Sequence, residues 1–144
     1  MTKPLDIVDS TLEFNRAANR PEEWTPSMVA KHTGYQLEEL AEKLEAIAGP
    51  SITNWVVANL AREMQWLGKQ FKAGRFDSAV SAAPRSDLLD ADVDLVVVSI
   101  GSMQTSGADV KGACGEVARS NLAKLVDGKA QFDENKKITK IRCG

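Results

Sequence analysis

Apolar positions recur at threes and fours along most of the chain, which is the helical period and not the alternation of strands. Leu5, Val8 and Leu12 share one side of a first helix that begins after Pro4 and fades at "NRPEE". Thr25 is a good N-cap with Pro26 at the first helical position, and the helix it opens stops at the "AGP" of 48–50. Its second half places Leu37, Leu40, Ala41, Leu44, Ile47 and Ala48 in one amphipathic stripe. Ser51 then caps a third helix with Ile52, Trp55, Val56, Leu60, Met64, Leu67 and Phe71 turned inward. The stretch "KAGRFDSAVSAAPRSD" reads as a loop.

The next segment, "SDLLDADVDLVVVSIGSM" at 86–103, is β-branched enough for a buried strand. Its length from Asp87 to Met103, and the lack of partner strands, favour a helix ended by Gly107. Asp109 is placed to cap a fifth helix reaching about Leu125. The remaining residues, 126–144, have turn chemistry and short alternation and read as an extended tail or a hairpin. The expectation is an all-α bundle of about five helices with a basic C-terminal tail, one domain over residues 1–144.

Composition narrows the function. Among 144 residues, 43% hydrophobic and 26% charged is a soluble globular balance, and a net charge of −2 offers no basic field for a nucleic-acid polymer. Residues 1–118 carry net −6 and residues 119–144 net +4, an acidic body with a basic end. Cys114 and Cys143 stand far apart and outside any C-x-x-C pair, so neither a disulfide framework nor a zinc site is expected. The N-terminus lacks the apolar region of a signal peptide, and "LVVVSI" is far too short to span a bilayer. These features lead to the expectation of a soluble cytoplasmic protein without a membrane partner.

The aspartates of the fourth helix carry the candidate chemistry. At about 100° per residue, Asp87, Asp90 and Asp94 fall in one stripe roughly 60° wide, while Asp92 lies on another face. Apolar side chains cover most of the remaining circumference, so the helix is expected at the centre of its bundle with its carboxylates near the interior. Carboxylates there need cations or a metal. The second helix adds Glu38, Glu39, Glu42 and Glu45 outside its leucine stripe. Taken alone these are a solvated face, with Glu39 and Lys43 as an i,i+4 pair. Where the two helices converge, Glu-Glu-x-x-Glu and Asp-x-x-Asp supply five hard oxygen donors of the kind that suits magnesium.

Other site chemistries find no support. The lone histidine, His32, lies outside any Glu-x-x-His pair and reads as structural. "GSMQTSGADVKG" lacks the Gly-Lys-Ser/Thr ending of a phosphate-binding loop. Trp24, Trp55 and Trp66 read as core residues, as does Cys114.

The fifth helix, "GEVARSNLAKLVDGKA" at 115–130, with Arg119, Ser120, Asn121 and Lys124, resembles the MazG-like branch of the all-α nucleoside triphosphate pyrophosphohydrolases. The acidic signature of that family corresponds to Glu38, Glu39 and Glu42, followed by Asp87-x-x-Asp90 with Asp94 as a further acid. The likeness covers residues 37–48 and 87–130. Asp87 stands where the family usually has Glu, the spacer from Glu42 is longer than in its smallest members, and Lys136 replaces a frequent Gly.

The resemblance implies hydrolysis of a nucleoside triphosphate to the monophosphate and pyrophosphate with Mg²⁺, Mn²⁺ being an alternative ion. It implies Glu38, Glu39, Glu42, Asp87 and Asp90 as metal ligands and Glu39 as general base. Arg119, Asn121, Lys124 and Asp94 would meet the substrate, and Lys137 and Lys140 of the tail remain for phosphate. It further implies house-cleaning activity on deoxy- or non-standard nucleotides, or a relative cleaving phosphoribosyl-ATP. From a different class, a helical interaction module with solvated acidic faces has no reason to bury the aspartate stripe. A short chain with one helix apolar all round also lacks covering surface, so a homodimer or homotetramer is expected, as in the family.

Overall fold

Asp6 starts the first helix by accepting hydrogen bonds from the backbone N–H groups of Val8 and Asp9, and α1 runs Ile7–Ala17. The computed structural model describes residues 5–20, 22–134 and 138–139. Thr25 caps α2, Pro26–Ala48, through Met28 N–H, and Gly49 ends it at φ +55°. A single 3-10 turn, Ile52–Asn54, leads into α3, Trp55–Lys72. The stretch read as a loop contains a short helix, α4, Asp77–Ala82. Then come α5, Arg85–Thr105, and α6, Val110–Leu122, the latter capped by Asp109 through Gly112 N–H. The tail opens as an antiparallel hairpin, β1 Leu125–Val126 against β2 Lys129–Ala130. Asp127 and Gly128 both take positive φ (51° and 72°), the backbone of a tight two-residue turn. Among the described residues the protein is all-α apart from this hairpin and one bridge between Phe132 and Ile138. Lys136, Lys137 and Lys140 lie outside the described residues.

The chain forms two units, Met1–Glu22 with Leu89–Gly144, and Glu23–Leu88. In the second, α2 packs along α3 and α4. The buried positions of α2 are Ala30, Gly34, Ala41 and Ala48, and those of α3 are Ala61 and Gly68. Small residues at spacings of four and seven let the two backbones approach closely. At the tightest point an added Cβ on Gly34 would stand 2.6 Å from the carbonyl oxygen of Gly68. The leucine stripe therefore straddles the contact: Leu37 and Leu44 are half-buried beside it, while Leu40 and Ile47 are exposed. Trp55, Val56, Leu60 and Trp66 are exposed as well, which corrects their assignment to the core.

The first unit packs α1 on α6 and on β2, with Ser10, Phe14, Ala18, Ala118 and Ala130 buried between them. α5 differs from every other helix of comparable length. None of its 21 residues is buried, and Leu89, Val93, Val96, Val97 and Val98 are each more than half exposed. The expectation of a central helix is not met within the single chain. No helix of the described residues is long and apolar enough to cross a membrane.

Candidate functional site

The α2 carboxylates divide by their angle from the buried stripe. Glu38 lies one position past Leu37, at the edge of the α2–α3 contact, and is half-buried. Glu39 and Glu42 turn away from that contact and are exposed. Glu38 has found a cation: Lys72 Nζ, at the last residue of α3, stands 2.5 Å from its Oε1. The same ammonium lies 5.5 Å from the ring centroid of Tyr35, one turn earlier on α2.

Glycine makes room for this pair on both sides. A Cβ on Gly34 would meet Lys72 Cγ at 2.6 Å, and a Cβ on Gly68 would meet Glu38 Cγ at 3.1 Å. Each stem therefore runs over the opposite glycine. With side-chain exposures of 30% for Lys72 and 21% for Glu38, the pair is shielded from water more than the Arg16–Glu22 and Arg119–Glu116 pairs. Sequence reading missed Lys72 by assigning it to a loop. Its position four residues after Gly68, in the last turn of α3, was the available signal.

Asp87, Asp90 and Asp94 keep helical register on α5, and all three are exposed, so the expectation of carboxylates near the interior is corrected for the single chain. Asp87 accepts a hydrogen bond from Ser86 Oγ at 3.3 Å. Among the described residues, no ion pair reaches Glu39, Glu42, Asp90 or Asp94. Glu38, Glu39, Glu42 and Asp87 belong to one unit, and Asp90 and Asp94 to the other. No three His, Cys, Asp or Glu side chains gather where they could hold a metal ion, again among the described residues. The donors are hard oxygens of the type magnesium takes, but their number at any one place falls short of a binding set.

Three of the four predicted substrate contacts, Arg119, Asn121 and Lys124, occupy the end of α6 and the residue just beyond its cap, while the fourth, Asp94, lies on α5. Lys124 Nζ donates to Asn121 Oδ1 at 2.7 Å and lies 5.9 Å from the ring centroid of Phe14 on α1. Arg119 is exposed and pairs with Glu116 one turn earlier. Lys124 and Asn121 thus form one polar group anchored on the α1–α6 core, with Arg119 separate from it.

The remaining candidates settle into structural surroundings. His32 meets Tyr35 edge-on, with ring centroids 5.4 Å apart. Trp24 is half-buried beneath the guanidinium of Arg85, 3.8 Å from its ring centroid. Cys114 is half-buried on α6. No family model, curated protein or solved structure matches the chain.

Proposed function

We propose that the protein is a magnesium-dependent nucleoside triphosphate pyrophosphohydrolase of MazG-like type, acting on a deoxy- or non-standard nucleotide. The observation that supports this reading most is the pair of acidic helix faces. Glu39 and Glu42 on α2, and Asp90 and Asp94 on α5, are solvent-facing oxygen donors in helical register without an ion-pair partner among the described residues. Repeated like charge on one helix face destabilises the helix by about a few tenths of a kcal/mol per pair, a cost that a bound cation would relieve. Mg²⁺, when bound, would offset the charge of both carboxylates and triphosphate and ease deprotonation of water.

The chain's own residues have distinct parts in this reading. Glu39 accepts the proton of the attacking water. The water oxygen bonds to the α-phosphorus, and the bridging oxygen departs with pyrophosphate. Lys124 and Asn121 meet the substrate as one hydrogen-bonded group, and Arg119 adds charge on an exposed side chain that must leave Glu116 to do so. Glu38, already held by Lys72, serves the metal only by exchanging that ammonium for it.

A panel of nucleoside triphosphates with pyrophosphate detection, run with and without Mg²⁺, tests the proposal. Metal-dependent release of monophosphate and pyrophosphate is expected. Absence of turnover on every nucleotide, with no Mg²⁺ or Mn²⁺ effect on the melting temperature, would leave the second reading, a helical interaction module. One observation favours that alternative: the aspartate stripe lies in solvent, where a binding module would keep it.

A further inference from the structure

Resting on the metal-dependent reading above, we infer that Lys72 is a resident cation standing where that reading puts a divalent ion, and that Glu38 is thereby withdrawn from the metal-binding acids of α2. Glu38 and Glu42 are four residues apart, about 6 Å along the helix and roughly 40° around it, so they share one edge of α2. Two carboxylates so placed invite a divalent ion between them. Lys72 Nζ, 2.5 Å from Glu38 Oε1, has already answered that charge. An ion approaching Glu38 meets an ammonium on the same carboxylate, and like charges repel more strongly where water is partly excluded.

The pair is held from both helices. Lys72 is the last residue of α3, so the α2–α3 packing sets its backbone. Its stem fills the notch left by Gly34, where a Cβ would stand 2.6 Å from Lys72 Cγ. The ring of Tyr35, with its centroid 5.5 Å from Nζ, offers the ammonium a further attraction. Glu38 is held from its own side, its Cγ lying 3.1 Å from where a Cβ of Gly68 would be. To hand Glu38 to a metal, the lysine must leave the notch, the carboxylate and the ring together.

The neighbouring acids lack such a partner. Glu39 and Glu42 are exposed, and no ion pair reaches them among the described residues. The three acids of Glu-Glu-x-x-Glu therefore divide into one closed by a protein cation and two open to an incoming one. Lys72 lies between residues 48 and 87, outside the stretches that carry the family likeness, so this division belongs to the present chain. It also accounts for the shortfall of α2 donors: the fold itself supplies a positive charge at this edge.

Calorimetric titration of the full chain with MnCl₂ alone, in the absence of nucleotide, tests the assignment. Glu38→Gln protein should bind Mn²⁺ as the parent does. Lys72→Met keeps the stem in the notch and removes the charge, so it should uncover a cation site on Glu38 and Glu42 and tighten Mn²⁺ binding by about tenfold or more. Adding Glu38→Gln to Lys72→Met should abolish that gain, and Lys72→Arg, which retains the charge, should titrate like the parent. Far-UV circular dichroism checks that each variant is folded, and Lys72→Gln is the second uncharged variant should Lys72→Met not fold. Weaker Mn²⁺ binding by Glu38→Gln, or no gain in the uncharged Lys72 variants, would overturn the inference. A parent that binds no Mn²⁺ beside a Lys72→Met protein that does would support the resident cation while counting against the proposed activity, so the two fail separately.

Discussion

Replacing Gly34 by alanine tests whether α2 and α3 are held by close backbone approach. In an open helix the change would stabilise by about 0.5–1 kcal/mol, because alanine gives up less chain entropy than glycine. Here the new Cβ would stand 2.6 Å from the Gly68 carbonyl oxygen and 2.6 Å from Lys72 Cγ. Lys72 can swing aside, although its stem then leaves Glu38. The carbonyl oxygen is backbone and cannot. Restoring ordinary contact separates the helices locally by about 1 Å, and a gap of that size forfeits a quarter to a half of each dispersion contact along the seam. Overpacking of this kind costs about 1–3 kcal/mol. Net of the helix-propensity gain, Gly34→Ala should destabilise by about 1–2 kcal/mol, lowering Tm by roughly 3–8 °C for a chain of this size. The internal control is Gly115→Ala in α6, where a Cβ would meet nothing within 4 Å and Tm should rise by about 1–3 °C. Differential scanning calorimetry of both variants is the assay. A Gly34→Ala protein that melts at or above the parent temperature would refute the close-approach argument.

Other substitutions separate structure from chemistry. Lys72→Met keeps the stem over Gly34 but leaves Glu38 partly buried without its cation, so stability measured by urea titration should fall by about 1 kcal/mol or less. Asp109→Ala removes the oxygen that accepts from Gly112 N–H and should cost about 1 kcal/mol in the same titration. Under the proposed activity, Glu42→Gln and Asp90→Asn should lower turnover by orders of magnitude with the melt unchanged, since both side chains are exposed and without an ion pair among the described residues; turnover at the parent rate would remove them from the site. Lys124→Ala should raise KM or lower kcat with a melt within a few degrees of the parent, whereas a large melt change with normal kinetics would make its contacts with Asn121 and Phe14 its whole role.

Helix limits were legible wherever a local rule decides them. Thr25 with Pro26, Gly49, Gly107 and Asp109 act through their own backbone and one or two neighbours, and the structure places all four as the sequence indicates. The hairpin at Asp127-Gly128 is of the same kind. α4 was missed because "DSAVSA" is too short to show a period, and its only buried residue is Val80. The inward face of α2 was misjudged for a different reason. Large apolar residues mark a buried face only when the partner stands at ordinary distance. With glycine opposite glycine the backbones fill the centre themselves, and leucines suited to a wider gap are pushed to the flanks or into solvent.

The same displacement explains why the acidic site is only half legible. Periodicity fixes which carboxylates share a helix face, and the register of Asp87, Asp90 and Asp94 follows from it without tertiary information. What stands opposite a face is set by long-range packing, which no spacing along one helix encodes. Glu38 shows the consequence. In sequence it is one member of Glu-Glu-x-x-Glu, equivalent to its neighbours, yet the glycine crossing draws it alone to the helix contact and against Lys72. Glu42 and Glu39, about 40° and 100° further around the helix, stay in solvent. An apolar helix exposed on every side follows the same logic at larger scale, because its pattern states that it must be covered and leaves the covering surface to be found elsewhere.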